Sequence, residues 1–166
     1  MHSQSMPVGV LVSRHPRPRD AQYEVIRPLA VVTDMPPLPD WTLLRRDGEA
    51  EVFYAGESHL VLHPGEAAHY EDNLALDPPR VWVAIRPDAD HPGTIAAMSL
   101  DPYEGEAMAD VEGDTVEALP MPMALRAWLA EFILQFPPNR TFYKRQRNKA
   151  GDRAGASPHN SDGDGE

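Results

Sequence analysis

Imidazoles and carboxylates are the side chains of this sequence with the most evident capacity for chemistry, and His59, His63, Glu66 and His69 gather four of them in one short stretch. Histidine nitrogen and glutamate oxygen are donors that a zinc ion accepts. The run Ser58-His59-Leu60-Val61-Leu62-His63 alternates as a half-exposed strand does, with Leu60 and Leu62 on one face and His59, Val61 and His63 on the other. On such a strand, at roughly 3.3 Å per residue, His59 and His63 stand about 13 Å apart, too far to share one ion. The spacing places these histidines at the surface and assigns no metal site. Ser, His and Asp all occur, but no Gly-x-Ser-x-Gly elbow exposes a nucleophile. No glycine-rich loop of the phosphate-cradling kinds is present either. Glu71 with Asp72, and Asp101 with Glu104, could act as acid–base pairs. In a chain with 26 Asp and Glu against 15 Lys and Arg, such pairs arise from composition alone. These patterns assign no catalytic residue and no cofactor.

The strongest structural signal lies between Leu119 and Arg147. Leu125, Trp128, Leu129, Phe132, Ile133 and Phe136 recur at the spacing that lines one face of an α-helix, against a polar side carrying Arg126, Glu131 and Gln135. Pro122 suits the first turn and Pro137-Pro138 cannot continue the helix, so both ends are marked. Upstream, strands are expected over Val8 to Ser13, Tyr23 to Thr33, Trp41 to Arg45, Glu51 to Ala55, Ser58 to His63, Arg80 to Arg86, Thr94 to Leu100 and Thr115 to Leu119. Pro28 marks an edge or a bulge. Arg46-Asp47-Gly48-Glu49 reads as a hairpin loop, and Ala55-Gly56-Glu57 as a second tight connection. A short helix fits Glu66 to Leu76, and Asp101-Pro102 can cap and open another over Tyr103 to Met108. The seven carboxylates between Asp101 and Glu117, with no Lys or Arg among them, read as a solvated face, with a docking patch for a basic partner as the alternative. The expected fold is α+β: a curled antiparallel sheet or partial barrel of about seven strands covered by one C-terminal amphipathic helix. The loops are too short for a doubly wound α/β fold.

Composition narrows the function classes. The 166 residues suit one globular domain over 7–147, ending in a basic arm at 137–147, with a disordered tail at 148–166. A net charge of -11 disfavours binding to nucleic acid or anionic membranes, which depends on contiguous positive surface. The absence of cysteine excludes disulfides, thiol nucleophiles and cysteine-ligated metal. With no leader pattern and no apolar run near the roughly 20 residues a span needs, a cytoplasmic protein without membrane contact is expected.

Against that acidic background, Arg140, Lys144, Arg145, Arg147, Lys149 and Arg153 place six of the 15 cations within 14 positions. A solvating tail would account for the charge, but not for Phe142 and Tyr143. Rings beside cations are what protein interfaces enrich, so Phe142, Tyr143, Lys144, Arg145 and Arg147 are the expected partner-binding residues.

Several short motifs in order carry a family resemblance. They are Val8 to Ser13, the Trp41 strand, His59-Leu60-Val61-Leu62-His63 leading to Tyr70 and Asn73-Leu74, Pro79-Arg80-Val81-Trp82-Val83, the Asp-Pro-Tyr-Glu turn at Asp101 to Glu104, Val116 to Pro122, and Phe142-Tyr143-Lys144-Arg145. Over residues 7–147 the chain resembles the bacterial domain of unknown function family 3305. That resemblance implies a genetic setting beside molybdenum-dependent formate dehydrogenases and their accessory factors, and no catalytic residue. The expectation is a non-enzymatic accessory or adaptor protein for assembly or maturation of such an enzyme, with a dehydrogenase subunit or maturation factor as partner. The alternative is a small-molecule-binding protein or enzyme of molybdenum cofactor (molybdopterin guanine dinucleotide) metabolism, with a cleft lined by Arg80, Trp82 and the histidines. Some family members carry a guanylyl-transfer label, but the N-terminal glycine-rich loop of such transferases is absent here.

Overall fold

A computed structural model describes residues 2–17, 19, 25–88 and 92–139. Among these, seven antiparallel strands form two sheets. β1 (Gln4–His15), β2 (Val25–Val32), β3 (Thr42–Asp47) and β4 (Ala50–Leu62) are ordered β2-β1-β4-β3. β5 (Arg80–Arg86), β6 (Thr94–Ser99) and β7 (Thr115–Pro120) are ordered β6-β5-β7, with β5 in the centre. β2 runs beside β7 and β4 beside β6, so the sheets curl toward each other without closing into a barrel. Three helices complete the body: α1 (Ala67–Leu74) after a 3-10 turn at Pro64–Glu66, α2 (Pro102–Ala109) and α3 (Met123–Gln135).

One reading of the sequence fails here. Glu51 to Ala55 and Ser58 to His63 are not two strands joined at Ala55-Gly56-Glu57 but the single strand β4, paired with β1 along its length. Val10 pairs with Gly56 and Leu11 with Tyr54, which leaves Ala55 as the extra residue of a bulge. Gly56 has φ +143, and a Cβ there would lie 2.9 Å from Asp40 Oδ1, so glycine serves the bulge and not a turn. Pro28 meets both expectations set for it. It lies on the edge strand β2, beside a bulge that leaves Leu29 unpaired opposite β1. The hairpin loop between β3 and β4 holds Gly48 at φ 65.

The core joins both sheets to α3. Val8, Val10 and Val12 of β1, Leu60 and Leu62 of β4, and Val81, Val83 and Ile85 of β5 pack in one cluster with Leu125, Leu129 and Phe132 of α3. Trp128, Ile133 and Phe136 pack against its rim. Trp128 Nε1 donates to Gln4 Oε1, and Gln4 Nε2 donates to Gln135 Oε1, pinning α3 to the start of β1.

α2 sits on the opposite face of β5, with Gly105 against the Trp82 indole. A Cβ at position 105 would fall 2.3 Å from Trp82 Cγ. Gly105→Ala is therefore expected to lower the melting temperature by several degrees. Overpacking costs about 1–3 kcal/mol, which outweighs the roughly 1 kcal/mol that alanine gains over glycine in a helix. A thermal melt showing a rise instead would mean that the indole can leave its seat freely.

Candidate functional site

His59 lies on the outward face of β4, as the alternation requires, beside Val61 at 45% exposure, and His63 is exposed just past the strand's end. His69 does not lie with them. It sits on α1, one helical turn after Glu66, and faces the N-terminus of α2. Asp101 is the N-cap of α2, with one carboxylate oxygen, Oδ1, accepting from the backbone N–H of Tyr103 at 2.9 Å and of Glu104 at 3.4 Å. That arrangement follows from the sequence, since aspartate before Pro102 satisfies donors that the first turn leaves open. The other oxygen, Oδ2, lies 2.8 Å from His69 Nδ1.

Glu66 Oε2 reaches the same ring nitrogen at 2.8 Å. The Tyr103 ring packs on the imidazole with centroids 4.5 Å apart, and its hydroxyl donates to Asp72 Oδ2. Behind Asp101, its own N–H donates to Ser99 Oγ, and the Ser99 hydroxyl donates to Glu104 Oε2. The reading of 101–117 as a solvated acidic face thus needs correction at two places. Asp101 is buried, and the Asp114 side chain, 3% exposed, is held by Arg86. Glu71 with Asp72 and Asp101 with Glu104, the pairs that could share a proton by proximity in sequence, instead point to other partners, with Asp72 on Tyr103 and Asp101 on His69.

Asn73 fixes the frame of this cluster. It is fully buried, and its Nδ2 donates to the carbonyls of Arg80 and Leu100 while its Oδ1 accepts from Arg80 N–H, each at 2.8 Å. Tyr70, on the same helix, accepts at its hydroxyl from His63 N–H. Burial is the main reason the Tyr70 hydroxyl is raised above the ordinary phenol range.

The hydrogen bond His69 donates to Asp101 is the largest influence on its pKa and raises it above the ordinary imidazole value, opposed by burial and aided by the charges of Asp101, Glu66 and Asp72. Asp101 outranks Glu66 because its side chain is 8% exposed against 42%, so water screens it less. A raised folded-state pKa means that the ion pair contributes fully below the unfolded value near 6.5 and is lost as pH rises through the folded value. In chelator, the melting-temperature gap between the native chain and His69→Gln is therefore expected to narrow from pH 6 toward pH 9. A gap that does not change with pH would remove the charged pair.

Arg80 and Trp82 do not join this cluster. Arg80 opens β5 and its guanidinium reaches the Ala118 carbonyl, while the Trp82 indole is covered by α2. A separate open groove of about 350 Å³ runs between β1, the end of β2 and the start of α3, and its charged lining is Asp34 and Glu57. Carboxylates there oppose a phosphate-bearing ligand. The expected partner-binding residues Phe142, Tyr143, Lys144, Arg145 and Arg147 lie outside the described residues, as does 148–166. No helix among the described residues is long and apolar enough to cross a membrane.

Two facing antiparallel sheets, a C-terminal helix packed in their core and a histidine–carboxylate cluster where α1 meets α2 define a small α+β protein. The chain belongs to the family described as protein of unknown function (DUF3305), which matches it over residues 7–147. No curated protein and no solved structure matches it.

Proposed function

We propose that this chain is a non-enzymatic accessory protein that binds a protein partner through α3 and the basic arm after it, in the assembly or maturation of a molybdenum-dependent formate dehydrogenase. The observation that carries the binding part is the outer face of α3. Met123 is 73% and Leu134 82% exposed, and Ala127 and Ala130, also exposed, fall between them on the same stripe. A helix that is apolar on its inner and outer faces has more apolar surface than its own fold uses, which is how helical interfaces are built. Phe142, Tyr143, Lys144, Arg145 and Arg147 follow α3 in the sequence, and their cations would steer an acidic partner. The enzyme setting is what the family resemblance implies.

Co-purification from the native cell tests both parts. Tagged full-length protein is expected to recover a dehydrogenase subunit or maturation factor. A chain ending at Pro138, and separately Met123→Glu/Leu134→Glu, is expected to lose it. Equal recovery by all three would remove the arm and the stripe, and recovery of unrelated partners alone would remove the formate dehydrogenase setting.

A further inference from the structure

We propose that Glu66, His69 and Asp101 form a binding site for a single divalent transition cation such as zinc, held by one imidazole nitrogen and two carboxylate oxygens with the remaining position open to water. The three ligand atoms come from the 3-10 turn, from α1 and from the cap of α2, and all lie within 4.8 Å of one another. Two of the three separations are 2.8 Å, and both are to Nδ1 of His69.

That nitrogen is oversubscribed. An imidazole Nδ1 has either one proton or one lone pair, and a single N–H cannot point along the axis to two carboxylate oxygens at once. A cation in place of the proton resolves the conflict, because it takes the lone pair and both oxygens together. With metal–nitrogen and metal–oxygen bonds of about 2.0–2.2 Å, donors around a tetrahedral ion stand roughly 3.3 Å apart, so the two short separations have to open by only about half an ångström.

The surroundings have the features that prepare a metal ligand. Asp101 has its second oxygen fixed by the backbone N–H groups of Tyr103 and Glu104, so Oδ2 is presented in one direction. The Tyr103 ring lies against the imidazole and is itself tied to Asp72, which limits rotation of His69. The His69 side chain is 39% exposed, which gives an ion a way in and a place for a water ligand.

Charge favours occupancy. The ligand set carries two carboxylates for one imidazole, and the chain has no Lys or Arg between Arg46 and Arg80 or between Arg86 and Arg126, the segments that supply all three ligands. Nitrogen with two oxygens is the donor set of zinc and its first-row neighbours rather than of calcium or magnesium, which take oxygen alone.

The test uses full-length protein stripped with chelator and titrated with zinc chloride by calorimetry, with thermal melts alongside. One equivalent is expected to bind and to raise the melting temperature by several degrees at saturation. Glu66→Gln and His69→Gln are expected to weaken binding at least about tenfold, whereas Glu112→Gln and His59→Gln leave it unchanged. Glu66 is 42% exposed, so Glu66→Gln keeps the fold even if the histidine variant does not. Imidazole nitrogen NMR is expected to show His69 Nδ1 coordinated and Nε2 protonated. Binding that is equal in the native chain and both cluster variants, or lost as much in His59→Gln, would mean an adventitious ion on an acidic surface and overturn the site.

Discussion

Phe132→Ala is expected to lower the free energy of unfolding by about 3–5 kcal/mol, a large part of what a domain this size possesses. Phe132 has no exposed surface and stands where α3 meets both the sheets and α1. Its ring meets Tyr70 edge-on at 5.9 Å and Phe136 at 4.9 Å, so truncation leaves a cavity walled by rings that cannot collapse into it. The loss reaches beyond α3, because Tyr70 also anchors His63 N–H and lies on the helix that carries His69. In urea the midpoint is expected to fall with the slope unchanged. Leu134→Ala supplies the contrast. At 82% exposure it should move stability by less than about 0.5 kcal/mol. Equal effects from the two would mean that α3 is not seated by the face carrying Phe132.

The seating of α3 was legible in the sequence because periodicity is a local property. Leu125, Leu129 and Phe132 repeat at helical spacing whatever they pack against, and the alternation in β4 and β5 can be read the same way. The same test passed over the outer stripe of α3. A search for one apolar face stops when it finds one, and Arg126, Glu131 and Gln135 then stood for a polar side that Met123, Ala127, Ala130 and Leu134 share. At Gly56 the local signal was ambiguous, since a turn and a bulge both favour glycine. Only pairing with β1, some 45 positions earlier, separates the two.

The cluster shows the same limit more sharply. His69 and Glu66 were visible as possible donors, and the capping role of Asp101 was read correctly from Asp101-Pro102. What joins them is the packing of α1 on α2, across 32 residues of chain, and no spacing rule reports that. The spacing argument holds for His59 and His63, which face outward, whereas the proposed site centres on His69. The signal that could have found it is charge: two segments without Lys or Arg, each placing a carboxylate at a helix N-cap, Glu66 in one and Asp101 in the other.

Asn73→Asp is expected to have the second large effect, and it joins stability to the cluster. The substitution keeps the shape and the oxygen that accepts from Arg80 N–H, but removes the amide that donates to the carbonyls of Arg80 and Leu100. Two buried acceptors lose their donor at roughly 1–3 kcal/mol each, and a carboxylate is set against them, so a loss of roughly 2–6 kcal/mol should follow. Leu100 immediately precedes Asp101, and His69 lies one turn before Asn73 on α1, so this amide holds the two halves of the cluster at their distance. In a variant that remains folded at low temperature, zinc affinity should therefore fall although no ligand has been changed, and the His69 imidazole should titrate closer to its ordinary value. A large loss of stability with zinc affinity unchanged would show that α1 and α2 are held together elsewhere and that Asn73 supports the fold alone.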